Sequence, residues 1–592
     1  MFFRLYWLLP VVFLASCSGG GDSQETTSTF ETPDSASVSP DHHTAPDLRN
    51  TILSYGANDS LSYGPNNSFS YLTDALENAA QRSFKEQTIT LKGATLPFTA
   101  TAGHLIVGSD SSISATGHVV GSAIFYTAYT RNDLPRETRP VTFIFNGGPG
   151  GASAGLDLGF LGPKDFDEDA SSATKSLQLK DNPNTLLDKT DLVFVDPIGT
   201  GYSVAISPSK NKDFWGVDND AKVLYNFITS YLDIYNRQSS PKYIYGVSYG
   251  GFRAPIIARF LIESGTRRHG SHPGDMPANA LNGIILNSPI LDEKTDCYGF
   301  YVSCGGALPT YTMVKAFHDK SLESPGFGVT AFLTNVRAFA ATFNDLYTSV
   351  FSGVVQKTPD RSKWTAYLQK PEAADFLNKL YQLTGIGKTL QPGDSAADNP
   401  WIANPNMDSS EFAEKFAPAQ GKLEIGDGRK FLPRQTVDPA LDRTDINYEY
   451  VKRYQADFIG YKAQSTYVGY NGKIIDVWDY EPKSGLSLSE DRWRTTIPDL
   501  AYSMTLNKEL KVLIQHGYYD LNTPFHQSEI NIKNAGLSAS IPVKTYGGGH
   551  GVGPYSTDDY DKVLGELKAL YDQPPANIIA AFNSPVPEEV KP

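Results

Sequence analysis

Tyr243-Ile244-Tyr245 runs without a break into Gly246-Val247-Ser248-Tyr249-Gly250, and helical spacing follows over residues 254–262 until Gly265. A strand that becomes a helix within a few residues, with glycine at both ends of the turn, restricts this region to a strand–turn–helix unit of an α/β fold. It fits G-x-S-x-G, in which the serine hydroxyl stands exposed above a sheet. Neighbouring segments agree. Leu192-Val193-Phe194-Val195 is a continuous apolar strand, and residues 217–235 place Ala221, Leu224, Phe227, Ile228, Tyr231 and Leu232 at helical spacing. Ile284-Ile285-Leu286 and Val512-Leu513-Ile514 are further strands, and strands alternating with helices imply a largely parallel sheet covered on both faces. Upstream, residues 88–91, 105–107, 123–129 and 141–145 are short apolar stretches separated by turn signals, hence consecutive strands.

The pentapeptide alone is weak evidence in a chain with 51 glycines, and it occurs a second time at Gly151-Ala152-Ser153-Ala154-Gly155. Context selects Ser248, because Ser153 lies in a run of small residues after a glycine turn. A serine nucleophile needs a base to take its proton and an acid to orient that base. The α/β order of Ser, acid, His points to Asp520, in the loop after strand Val512-Leu513-Ile514, and to His550, held between glycines in Gly547-Gly548-Gly549-His550-Gly551. His526 lies too close to Asp520 in sequence to reach across easily, and His516 precedes the acid. Asn146-Gly147-Gly148-Pro149-Gly150 follows strand Val141–Phe145 directly, so glycine backbone could approach a substrate oxygen there. With the N–H of Tyr249, this is where α/β-hydrolases build an oxyanion hole; the other reading is a plain tight turn.

Composition narrows the setting. The 592 residues are 40% hydrophobic and 20% charged, which excludes a disordered, collagenous or many-span membrane chain. A net charge of −14 without a basic run excludes a nucleic-acid partner, since phosphate binding needs clustered Lys and Arg. The start, Met1-Phe2-Phe3-Arg4 followed by an apolar run over 5–14, is too short to span a bilayer and has the form of an export signal. Leu14-Ala15-Ser16-Cys17 resembles the lipobox of bacterial lipoproteins, which implies a signal peptide over 1–16 and a lipid on Cys17. Residues 17–48 form a polar tether, and its His42 and His43 belong to that tether. Lipidating Cys17 leaves Cys297 and Cys304 as an even pair in an oxidising compartment, where a disulfide is expected. No metal-ligand spacing and no cofactor motif appears. Core segments are expected over 49–291 and 499–592, with a partly helical cap over 292–498 that shapes access to the site.

Taken in order, Asn146 to Gly150, Val195-Asp196-Pro197-Ile198-Gly199-Thr200-Gly201-Tyr202-Ser203, Gly246 to Gly250, Gly517 to Asp520 and Gly549-His550 resemble the successive motifs of the serine carboxypeptidase family. Phe214-Trp215-Gly216-Val217 and Leu308-Pro309-Thr310-Tyr311 resemble its bacterial branch. The resemblance runs roughly over 88–571 and is weakest across the cap. It implies an α/β-hydrolase that removes residues from peptide C-termini. Ser248 would be the nucleophile, His550 the general base and Asp520 the orienting acid; Gly148 and Tyr249 N–H would form the oxyanion hole, and Asn146 and Gly147 would bind the terminal carboxylate. Peptides or proteins would be the substrates, and the lipid would be the membrane contact.

Two departures bear on that function. Where the family carries an acid before the nucleophile this chain has Val247, and where a second acid precedes Gly162-Pro163 it has Phe160. Losing both removes the groups that share protons with the substrate's end and give the family its acidic preference. Activity is then expected to rise through about pH 6–7, as an imidazole base loses its proton, rather than to peak near pH ~5. Gly151 replaces a usual cysteine, and Gly551 replaces a larger residue after the histidine, opening the leaving-group side. An esterase or acyltransferase with the same triad is the competing reading, and a non-catalytic surface binding protein the third.

Overall fold

The computed structural model describes residues 82–572 except 114–118, 167–178, 207–208, 268–279, 294, 296, 298–302, 352–360, 392–393, 395–398, 437–448, 464–465 and 482–493. The signal segment, Cys17 and the tether lie outside the described residues.

Ten strands form one sheet: β1 (Ser83–Leu91), β2 (Ala94–Ile113), β3 (Val119–Arg131), β4 (Val141–Phe145), β5 (Asp191–Val195), β6 (Val204–Ile206), β7 (Lys242–Val247), β8 (Gly283–Asn287), β9 (Lys511–Gly517) and β10 (Val543–Tyr546). Their spatial order is β1-β2-β3-β5-β4-β7-β8-β9-β10, with β6 paired to β3. The β1–β3 end is antiparallel, and so are the pairings of β3 with β5 and β6. From β5 to β10 every pairing is parallel. Every residue of β4, β5, β7 and β8 is buried, as expected for parallel strands covered on both faces, and this explains why they read as unbroken apolar runs.

Side chains alternate between two cores. Phe143, Val193, Ile244 and Ile284 face one side, beneath α1 (Val217–Ile234) and α2 (Tyr249–Ser264). Ile144, Phe194, Tyr243, Tyr245 and Ile285 face the other. After β4 the chain goes to β5 on one side and then crosses to β7 on the other. The crevice beyond the carboxyl ends of β4 and β7 is therefore a switch point, where open α/β sheets bind ligands. The fold is the mostly parallel, helix-flanked α/β sheet expected from the sequence.

Between β8 and β9 lie α3 (Leu308–His318), α4 (Val329–Phe351) and α5 (Pro371–Thr384), which share a third core with the Cys297–Cys304 disulfide, Trp401 and Phe412. In α4, Leu333, Val336, Ala340 and Phe343 are buried at three- and four-residue spacing. Tyr454, Phe458 and Tyr467 instead pack on the sheet with Phe98 and Phe194. The excursion begins and ends at one neck, where Asp292 pairs antiparallel with Thr495 and Glu293 N–H donates to Arg494 O at 3.0 Å. Then follow α6 (Ile497–Leu506), α7 (Phe525–Asn534) and α8 (Tyr560–Asp572). Among the described residues no helix is long and apolar enough to cross a membrane.

Candidate active site

Ser248 stands between β7 and α2 with φ 58° and ψ −123°, in the left-handed half of backbone space that serine seldom occupies. The strain projects its hydroxyl outward, and surrounding contacts hold it there. Ser248 N–H donates to Asn287 O at 3.0 Å, and its carbonyl accepts from Gly251 N–H at 2.8 Å. The turn closes so tightly that a Cβ on Gly246 would sit 2.2 Å from the Gly250 carbonyl oxygen. Tyr249 is the first residue of α2, so its N–H has no acceptor within the helix and carries the positive end of the dipole.

His550 donates from Nδ1 to Asp520 Oδ2 at 2.9 Å, and the Asp520 side chain is fully buried. Burial alone would raise the Asp520 carboxyl. The His550 imidazole, the Thr523 hydroxyl at 2.7 Å and the Thr523 N–H at 2.9 Å outweigh it and hold the group below the usual carboxylate range. An ionised Asp520 fixes the proton on Nδ1 and leaves Nε2 as the basic nitrogen. The loop carrying His550 is fastened by Asn287, whose amide accepts from Val552 N–H at 2.8 Å and donates to Val552 O at 3.0 Å. Ser288 Oγ accepts from Gly551 N–H at 3.0 Å. Asn287 thus touches both the Ser248 backbone and the loop that carries His550. Asn287→Ala leaves two buried backbone groups unpaired, at about 1–3 kcal/mol each. Its expected result is a lower melting temperature together with a fall in kcat larger than any change in KM, read from steady-state kinetics on an activated ester.

The rival residues are engaged elsewhere. Ser153 is fully buried and donates to Val195 O at 2.6 Å. His526 Nδ1 lies 2.6 Å from Glu529, and buried His516, pushed down to about 4 by desolvation, bonds Ser528 Oγ at 2.9 Å.

The loop after β4 lies against Ser248: a Cβ on Gly147 would come within 2.6 Å of Ser248 Cβ and 2.8 Å of Tyr249 N. Asn146 Oδ1 accepts the Gly147 N–H at 2.8 Å, and Asn146 Nδ2 donates to Ala152 O at 2.8 Å. The N–H of Gly147 is therefore committed inside the loop, while the Asn146 amide nitrogen carries a second hydrogen. Arg253 of α2 grips the Asn146 carbonyl through Nη1 while its Nε bonds Asp220 at 2.7 Å.

Ser248, His550, Gly148, Tyr249, Asn146 and Gly147 line one cleft of about 600 Å³. Val247 and Phe160 line it as well, only 5% and 7% exposed, so the wall where the family's acids would stand is apolar. Among the described residues no cluster of His, Cys, Asp or Glu is placed to hold a metal.

Composition and spacing gave no sign of a buried acidic pair behind this wall. Asp157 accepts from Tyr129 OH at 2.7 Å; Asp196 accepts from Ser153 N–H at 2.8 Å and Tyr467 OH at 2.8 Å. Burial pushes Asp157 up to about 8, helped by repulsion from Asp196, although the Tyr129 hydroxyl opposes it. Burial likewise pushes Asp196 up to about 7, against its Ser153 and Tyr467 hydrogen bonds.

Comparison with known proteins adds a family. The serine carboxypeptidase family profile matches residues 93–547. Serine carboxypeptidase-like 36 of Arabidopsis thaliana is 28% identical over 178 residues, 30% of this chain and 33% of that protein. The retinoid-inducible serine carboxypeptidase of Mus musculus is 36% identical over 162 residues, 26% of this chain and 33% of that one. The chain thus spans about a third of the length of these curated relatives. The structure of Kex1, a prohormone-processing carboxypeptidase from Saccharomyces cerevisiae, aligns with TM-score 0.46 and 17% identity over 76% of this chain and 78% of that one.

Proposed function

The chain belongs to the serine carboxypeptidase family, and from that premise we propose that it removes C-terminal residues from peptides through an acyl-enzyme on Ser248. The observation that carries this reading is the strained Ser248 elbow sharing one cleft with a His550 already oriented by buried Asp520. In the proposed reaction His550 Nε2 takes the Ser248 hydroxyl proton as Oγ bonds the scissile carbonyl carbon. The oxyanion receives the N–H groups of Tyr249 and Gly148. The C–N bond breaks as His550 returns the proton to the leaving amine; a water, deprotonated by His550, then attacks the ester and frees Ser248. No step calls for a metal or organic cofactor.

The N-terminal sequence extends the proposal. Export, removal of residues 1–16 and a lipid on Cys17 would hold the enzyme at a membrane surface of the cell envelope, with residues 18–48 as the tether. The helical insertion between β8 and β9 would act as the cap.

One observation favours the second reading, an esterase or acyltransferase. The apolar Val247 and Phe160 and the internally bonded Gly147 leave few donors for a free carboxylate at the His550 end of the cleft, and desolvating one without partners costs several kcal/mol. The test is two peptides identical except for a free-acid or amide terminus, digested by protein starting at Ser18 and followed by mass. Stepwise trimming of the free acid alone is expected. Turnover of an activated ester with neither peptide trimmed would transfer the assignment to the esterase reading.

A further inference from the structure

We propose that the Glu293–Arg494 ion pair is a specificity-determining subsite for the acyl side of the scissile bond, and that Arg494 favours an acidic side chain there. The inference deepens the function proposed above and rests on Ser248 as nucleophile, though not on recognition of a terminal carboxylate.

The cleft has two distinguishable ends. His550 must hand its proton to the leaving group, so the leaving group occupies the His550 end. That end is apolar: a Cβ on Gly551 would lie 3.7 Å from Val247 Cγ1, and one on Gly553 would lie 3.0 Å from the Phe160 ring. The acyl portion therefore extends toward Tyr249, whose ring meets the Tyr480 ring edge-on at 6.5 Å. Ile290 belongs to this end as well, since its N–H donates to Ser248 O at 3.3 Å. Beside them the Arg494 guanidinium stacks over Tyr480, 4.5 Å from the ring centroid, and Nη1 donates to Glu293 Oε2 at 3.1 Å.

Apart from His550, Glu293 and Arg494 are the cleft's only ionisable groups of ordinary charge among the described lining residues. Their exposures are unequal: 28% for the Arg494 side chain against 8% for Glu293. Both side chains line the cleft, with the positive end of the pair oriented as its more exposed end. Three restraints fix that orientation before substrate arrives: the ion pair, the stack on Tyr480 and the backbone bond from Glu293 N–H to Arg494 O. A held planar guanidinium donates to a carboxylate with little further ordering, and it repels an ammonium that meets it first. Glu293 partly neutralises the site, which limits the discrimination to about tenfold.

The test uses N-acylated amino-acid esters of one alcohol with Glu, Gln, Leu or Lys as the acyl residue, and compares kcat/KM. The full enzyme is expected to prefer Glu over Lys about tenfold, less at high salt. Arg494→Met should bring that ratio to one or below, because Glu293 then loses this partner, and Arg494→Lys, which keeps the charge, should retain part of it. Glu293→Gln should increase the preference by removing the competing carboxylate. A wild-type preference for Lys, or an unchanged Glu-to-Lys ratio in Arg494→Met, would overturn the proposal. Esters carry no terminal carboxylate, so the two failures separate. Discriminated esters with untouched peptides would remove the carboxypeptidase reading alone, whereas trimmed peptides with flat ester ratios would remove this inference alone.

Discussion

Replacing Asp520 by asparagine is expected to leave the fold standing and to lower kcat by about 10³–10⁴-fold. Asn522 N–H and Thr523 N–H both donate to Asp520 Oδ1, at 3.0 and 2.9 Å, so an asparagine oxygen would remain on that side. Its NH₂ would then point at His550 Nδ1, where Asp520 Oδ2 now accepts. Two donors cannot share that contact. The imidazole would shift its proton to Nε2, the nitrogen proposed to receive the Ser248 proton, and the proposed base would be blocked in its resting tautomer. The size of the loss comes from this reversal, which a merely weakened contact would not give. The measurement is burst and steady-state kinetics with an activated ester, beside circular dichroism to confirm folding. A fall of less than about tenfold would remove Asp520 from the role proposed for it.

The second large effect concerns stability against pH. Asp157 and Asp196 are buried, and their carboxyls are raised to about 8 and about 7 from an ordinary value of 3.8. The groups hydrogen-bonded to them are tyrosine hydroxyls from Tyr129 and Tyr467 and the Ser153 backbone N–H, none of them a cation. Both carboxyls are protonated in folded and unfolded chains below about pH 4, so stability does not vary with pH through them there. Between that pH and about 7–8 the folded state holds protons that the unfolded chain has released. Stability therefore falls as pH rises through this range. Above about pH 8 the loss is complete. Asp157→Asn keeps an acceptor for Tyr129 and removes one of the two ionisations. The variant is expected to melt higher than the wild type at pH 9, with a shallower decline from pH 5 to 8. Parallel melting curves would contradict the assignment of buried, protonated carboxyls.

Some of this architecture could be read in advance and some could not, for physical reasons. The strands β4, β5, β7 and β8 were legible because burial on both faces leaves an unbroken apolar run. The Ser248 turn was legible because a strand can become a helix so abruptly only around glycines. Asp520 and His550 could be paired because the acid follows a readable strand and the histidine, held between glycines, completes the order Ser, acid, His. By contrast, α4 was hidden, since its core face includes Val336 and Phe343, residue types with weak helix preference that yield to tertiary packing. Residues 454–467 looked like part of the excursion, yet Tyr454 and Tyr467 pack on the sheet. The approach of Glu293 to Arg494, and of Asp157 to Asp196, depends on how distant segments stack and has no local signature. The commitment of the Gly147 N–H was hidden too, because it depends on the rotamer of Asn146.

The neck at Asp292 and Thr495 has a consequence for how such a chain can change over time. The excursion leaves and re-enters the sheet side by side, held by backbone bonds that do not depend on what lies between them. Closing a longer excursion costs only about 0.6 kcal/mol per doubling of its length. Insertions or deletions in the connections among α3, α4 and α5 can therefore accumulate, provided the core these helices share with Tyr519 and Leu521, on either side of Asp520, is kept. The pair at the neck, Glu293 and Arg494, would travel with the hinge point rather than with the variable segment. Substrate preference could then stay constant while the inserted helices are rebuilt.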